Sequence, residues 1–126
     1  TTGMVVFVDG TGQVRARSLA DDGSGQPTSI ARIISGDLTN AGHLAIATGD
    51  RVRNHFGVTF IAQDGIYFVG LDANARPLNA PVRLSADDAT VIDTEPQLRW
   101  TGDRWMVIWR DLIDGWLIAR GRFDCP

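Results

Sequence analysis

Val5-Val6-Phe7, Val58-Thr59-Phe60 and Val107-Ile108-Trp109 are three versions of one phrase, a valine with an aromatic residue two places later. Each is followed by a segment that ends in a large apolar residue near an aspartate: Leu19-Ala20-Asp21, Leu71-Asp72 and Phe123-Asp124. Leu19, Leu71 and Phe123 are spaced by 52 positions. A second marker agrees, since Thr48-Gly49-Asp50 recurs as Thr101-Gly102-Asp103, 53 positions on. Self-similarity at a fixed period of this size predicts a modular array, in which each unit is one supersecondary element and neighbours bury each other's apolar faces.

The second copy shows the unit most clearly. Residues 55–62 alternate and are rich in β-formers, Gln63-Asp64-Gly65 supplies the Asp-Gly dipeptide of a tight hairpin, and 66–71 return as a second strand. Residues 72–77 have turn composition, 80–84 form a short third strand near Pro81, and 85–94 are a polar connection. A fourth strand, 97–100, closes on the Thr101-Gly102-Asp103 turn. The first copy fits the template with strands at 4–8, 13–19, 30–35 and 43–47, and the third supplies 104–110 and 116–123. The expected organisation is one repeat-built β domain with units at approximately 4–50, 51–103 and 104–126, about two and a half in all.

Three segments carry finer expectations. Ser29-Ile30-Ala31-Arg32-Ile33-Ile34 has a capping residue and apolar spacing that also suit a turn or two of helix, but its place in the repeat matches Pro81-Val82-Arg83-Leu84 and favours a strand. Trp105, Val107 and Trp109 alternate with Met106 and Ile108, which reads as a strand buried on both faces. Arg15, Arg17, Arg120 and Arg122 alternate on corresponding strands and read as solvated or salt-bridged edges.

Composition narrows the class. All twelve basic residues are Arg, and every acid but Glu95 is Asp, so the strong helix formers Lys and Glu are nearly absent while 14 Gly and the Asp residues supply turns. A net charge of −3 offers no field for nucleic acid or an anionic membrane, and no apolar run is long enough for a spanning helix. Cys125 is the sole cysteine, so the only disulfide open to it is with another chain.

Taken together, the aromatic-rich strand, the hairpin, the Leu-Asp or Phe-Asp ending, Pro81-Val82-Arg83-Leu84-Ser85 and the Thr-Gly-Asp turn resemble the blade repeats of bacterial extracytoplasmic β-propeller proteins, most clearly over 66–124. The resemblance implies an all-β fold of antiparallel four-stranded, propeller-like blades and a secreted or cell-surface location. A propeller has roughly four to eight blades. Two and a half units are therefore expected to be incomplete without partner strands from further chains, the same or different, or from the rest of a cut precursor, the remaining route being a different small sandwich or barrel.

No sequence motif of catalysis or cofactor binding emerges, and no cofactor is expected. His43 and His55, twelve positions apart, read as polar sheet residues, and Asp21-Asp22 and Asp87-Asp88 as solvated turn residues. Thr1 reads as a processed or cloned end. The four tryptophans fall in the last third, and Trp100 and Trp116 depart from what the other copies carry. With Arg99 and Asp114 they form the candidate ligand surface, since an aromatic face beside hydrogen-bonding groups suits a sugar ring or a protein surface. The functional expectation is a non-enzymatic binding or interaction module outside the cytoplasm, with a glycan or protein as ligand. The alternative is one chain of a cleaved or hetero-oligomeric hydrolase-like enzyme.

Overall fold

The computed structural model describes residues 3–63, 65–85, 90–91, 96–112 and 116–123. Cys125, Asp114 and Thr1 lie outside the described residues. Among those described, the chain is all-β with no helix, and its strands form three antiparallel sheets, none closed on itself.

The first sheet orders β1 (Gly3–Val8), β2 (Val14–Leu19) and β3 (Arg32–Ile33). The second orders β4 (Gly42–Thr48), β5 (Phe56–Ala62), β6 (Gly65–Leu71) and β7 (Val82–Arg83). In the third, β10 (Trp105–Leu112) pairs with β11 (Trp116–Phe123) on one side. On its other side β10 meets β9 (Gln97–Trp100) along Trp105–Ile108 and β8 (Thr90–Val91) at Asp111 and Leu112. The strand reading of the Ser29 segment holds only at Arg32 and Ile33, which pair with Ala16 and Arg15.

The repeat is visible bond by bond. Val14 N–H donates to Ser35 Oγ and Ile34 N–H to the Val14 carbonyl in the first sheet, each at 2.9 Å. In the second, Ile66 N–H donates to Ser85 Oγ at 3.1 Å and Leu84 N–H to the Ile66 carbonyl at 2.7 Å. Bridges at Leu19↔Pro27 and Leu71↔Pro77 also correspond. The sheets are out of step with the sequence phrase by one strand. The strand 97–100, which ends the second phrase, pairs with β10 in the third sheet, and 42–48, which ends the first, pairs with β5 in the second.

Cross-strand register explains the packing. Val58 and Phe60 lie on the face of the second sheet that meets Val14, Ala16 and Ile34 of the first, forming one core. Val107 and Trp109 lie on the face of the third sheet that meets Ile66 and Phe68 of the second, forming the other. The second and third Val-x-aromatic faces thus each rest on the opposite face of the sheet before them. β1 approaches β4 and β4 approaches β9, so the sheets converge along these strands. The reading of β10 as buried on both faces is corrected: Trp105, Val107 and Trp109 are buried, but Ile108 is 40 % exposed because no described sheet lies beyond it.

Candidate functional site

Arg99 and Trp100 are neighbours on β9 and therefore project to opposite faces. Arg99 is exposed beside Met106, while Trp100 is partly buried across from Trp105 on the face toward the second sheet. Trp116 lies across from Leu112, at the far end of β10 from Trp105. Trp100 and Trp116 sit seven register positions apart along β10, roughly 23 Å at the usual rise per strand residue.

Trp100 instead joins an aromatic seam. Its ring stands edge-on to His55 with centroids 5.0 Å apart at 83°, and to Trp105 at 5.0 Å and 62°. Trp105 is fully buried and lies against two glycines. A Cβ at Gly57 would come within 2.8 Å of its ring, and one at Gly49 would collide with both His55 and Trp105. The sequence signal was therefore the pairing of glycines with a tryptophan from the next repeat, not the tryptophans alone.

His55 is 3 % exposed and holds the β4–β5 turn, since Asp50 N–H donates to its Nδ1 at 2.7 Å. With Nδ1 accepting, the ring's N–H is at Nε2, and among the described residues neither it nor Trp105 Nε1 has a hydrogen-bond partner. His55 is thus a buried polar residue immediately before β5. His43 is exposed at the β4 bulge, so the two histidines occupy different environments. The Thr101 hydroxyl donates to Asp103 at 2.8 Å and holds that carboxyl below its usual range, with Arg104 adding to the effect.

The arginines mark a face. Register places Arg15 across from Phe7 and Arg17 across from Val5, in the interior strand of the first sheet and not at its edge. Arg15 Nε pairs with Asp9 at 2.6 Å and Arg17 Nε donates to the Ser29 carbonyl at 3.1 Å. The Asp9 carboxylate also accepts from Thr11 and Gln13, and these bonds, that of the Thr11 hydroxyl foremost, hold it far below the ordinary carboxylate range. Beside these arginines Val5 and Phe7 are 39 % and 38 % exposed, whereas their counterparts Val58, Phe60, Val107 and Trp109 are at most 5 % exposed. Comparison with protein-family models, curated proteins and solved structures finds no match to this chain.

Proposed function

We propose that the chain is a non-enzymatic interaction module built of propeller-like blades, working outside the cytoplasm, whose open Val5/Phe7 face is covered by a sheet of a second copy. The extracytoplasmic location comes from the resemblance of the repeat to blades of that class. What carries the association is the exposure of Val5 and Phe7 at positions whose two counterparts are buried. Within the chain the second and third such faces each meet the opposite face of the preceding sheet, and among the described residues the opposite face left open is that of the third sheet, with Ile108 exposed and Met106 partly so. A second copy arranged head to tail supplies that face. Repetition of such a heterologous contact closes only if the rotation does, and two copies of three sheets give six, within the roughly four to eight blades of known propellers.

Charge permits this contact. Arg15 is neutralised by Asp9 within its own sheet, so the apolar part of the face is not opposed by an unpaired guanidinium there. Native mass spectrometry of the chain tests the reading. A closed oligomer that the Phe7→Asp substitution reduces to monomers is expected, and a wild-type monomer at every concentration would overturn it.

A further inference from the structure

The first and second sheets converge at β1 and β4 but part on the other side, between residues 33–38 and 77–81. Two adjoining hollows of about 440 and 430 Å³ occupy the gap and share Gly36, Ala80 and Pro81. The second has Leu38, Ala80 and Pro81 as apolar wall, with Asp37, Gln63 and Tyr67 around it. Its size falls within the range of small-molecule sites, roughly 300–1,000 Å³, and an apolar wall with a few polar groups is their usual make-up.

These three polar side chains have no hydrogen-bond partner among the described residues, unlike Asp9, Asp72 and Asn79, which are engaged with nearby turns. Tyr67 is held in place, because its ring stacks on Phe60 at 5.8 Å and 16°. Gly65 makes room beside it: a Cβ there would lie 3.2 Å from the Tyr67 ring and 3.0 Å from Arg83 Nε. Gln63 adopts φ 51 at the β5–β6 turn, a left-handed conformation that glycine or asparagine takes at lower cost. A strained glutamine that lines one cleft with a carboxylate and a phenol, none of the three partnered among the described residues, is an arrangement the hairpin itself does not need.

We propose that this cleft binds a neutral polyhydroxylated ligand of monosaccharide size. A carboxylate and a carboxamide accept and donate to vicinal hydroxyls, the phenol does both, and the apolar wall takes the C–H face of a ring. Among the described lining residues Asp37 is the one charged group, which favours a neutral ligand over an anionic one. The inference rests on the binding-module reading for its class of action but not on head-to-tail closure, since the cleft lies within one chain.

The test is titration of the whole chain with the methyl glycosides of glucose, galactose, mannose and N-acetylglucosamine, followed by amide chemical shifts. At least one glycoside is expected to give saturable shifts at Asp37, Leu38, Gly65 and Tyr67. Asp37→Ala and Gln63→Gly should each weaken it at least about tenfold, a loss equivalent to about 1.4 kcal/mol. Gln63→Gly should also melt above the wild type, because it relieves the φ, which separates lost binding from lost folding. Phe7→Asp should leave the titration unchanged even where it abolishes association. No saturable shift with any of the four, shifts at other residues, or affinity indifferent to both cleft variants would overturn the site.

Discussion

Phe7 and Phe60 occupy the same place in the repeat, yet one is 38 % exposed and the other fully buried. Their strands have the same partner geometry, since Phe7 pairs with Arg15 and Phe60 with Tyr67 on the next strand. The difference lies in what stands in front of them. Val14, Ala16 and Ile34 of the first sheet cover Phe60, and no described sheet covers Phe7. A repeated phrase thus encodes a face that fits another sheet, and burial follows only where that sheet is supplied. The arginines sharpen the contrast: Arg15 and Arg17 stand where the second sheet has Tyr67 and Val69, so the open face is less apolar than its buried counterpart.

The largest effect should come at the second interface. Trp105→Ala removes a fully buried ring seated on Gly49 and Gly57, and should lower unfolding free energy by about 3–5 kcal/mol in urea titrations. Gly57→Ala approaches the same contact from the other side. Its Cβ would lie 2.8 Å from the Trp105 ring, so overpacking of about 1–3 kcal/mol is expected, and Trp105→Leu in the same chain should restore part of it.

A test of the repeat itself comes next. Ser35 and Ser85 each accept a bond from a buried strand N–H, of Val14 and of Ile66, so their alanine variants leave equivalent donors unsatisfied. Each should cost about 1–3 kcal/mol, and closely matched values would show that the two sheets use the serine alike. Unequal costs would separate the first sheet from the second.

The Asp9 cluster predicts a pH dependence confined to the first sheet. Its carboxyl lies lower in the folded chain than the roughly 3.9 of an unfolded one, so the stabilisation is complete above that value and is lost as pH falls toward the folded value. Asp9→Asn should lower the denaturant midpoint at neutral pH, and the gap to wild type should shrink on acidification below about pH 4.

Much of the strand pattern was legible because alternation and β-branched content dominate 56–62 and 66–71, and because Arg32 and Ile33 follow a repeat that Val82 and Arg83 share. The hairpin was read from Asp64-Gly65, but Ala62 pairs with Gly65, so Gly65 belongs to the strand and leaves room for Tyr67 and Arg83. Assignment of strands to sheets was not legible. Whether 97–100 joins the strand before it or after it is decided by the pairing of Leu98 with Val107, which periodicity does not contain. The 53-residue spacing of Thr48 and Thr101 held a clue, since Thr48 still pairs with Phe56 inside β4 while Thr101 already lies beyond β9.

The candidate surface was least legible. Trp100 and Trp116 are close in sequence terms but are set at opposite ends of β10 by its pairing on both sides. Asp37, Gln63 and Tyr67 carry no shared motif, and only the stacking of one repeat on the next brings them to one cleft.

The smallest expected effect is also the most telling. Phe7→Ala should cost about 0.5 kcal/mol or less in dilute solution, as at an ordinary surface site, while Phe60→Ala costs about 3–5 kcal/mol at any dilution. Because association stabilises only the folded chain, the cost of Phe7→Ala should grow as protein concentration rises. Unfolding of both variants and wild type across a concentration series therefore tests whether the Phe7 face is a blade interface. A Phe7→Ala cost that climbs toward that of Phe60→Ala is the predicted result, and one that stays near zero at every concentration would contradict it.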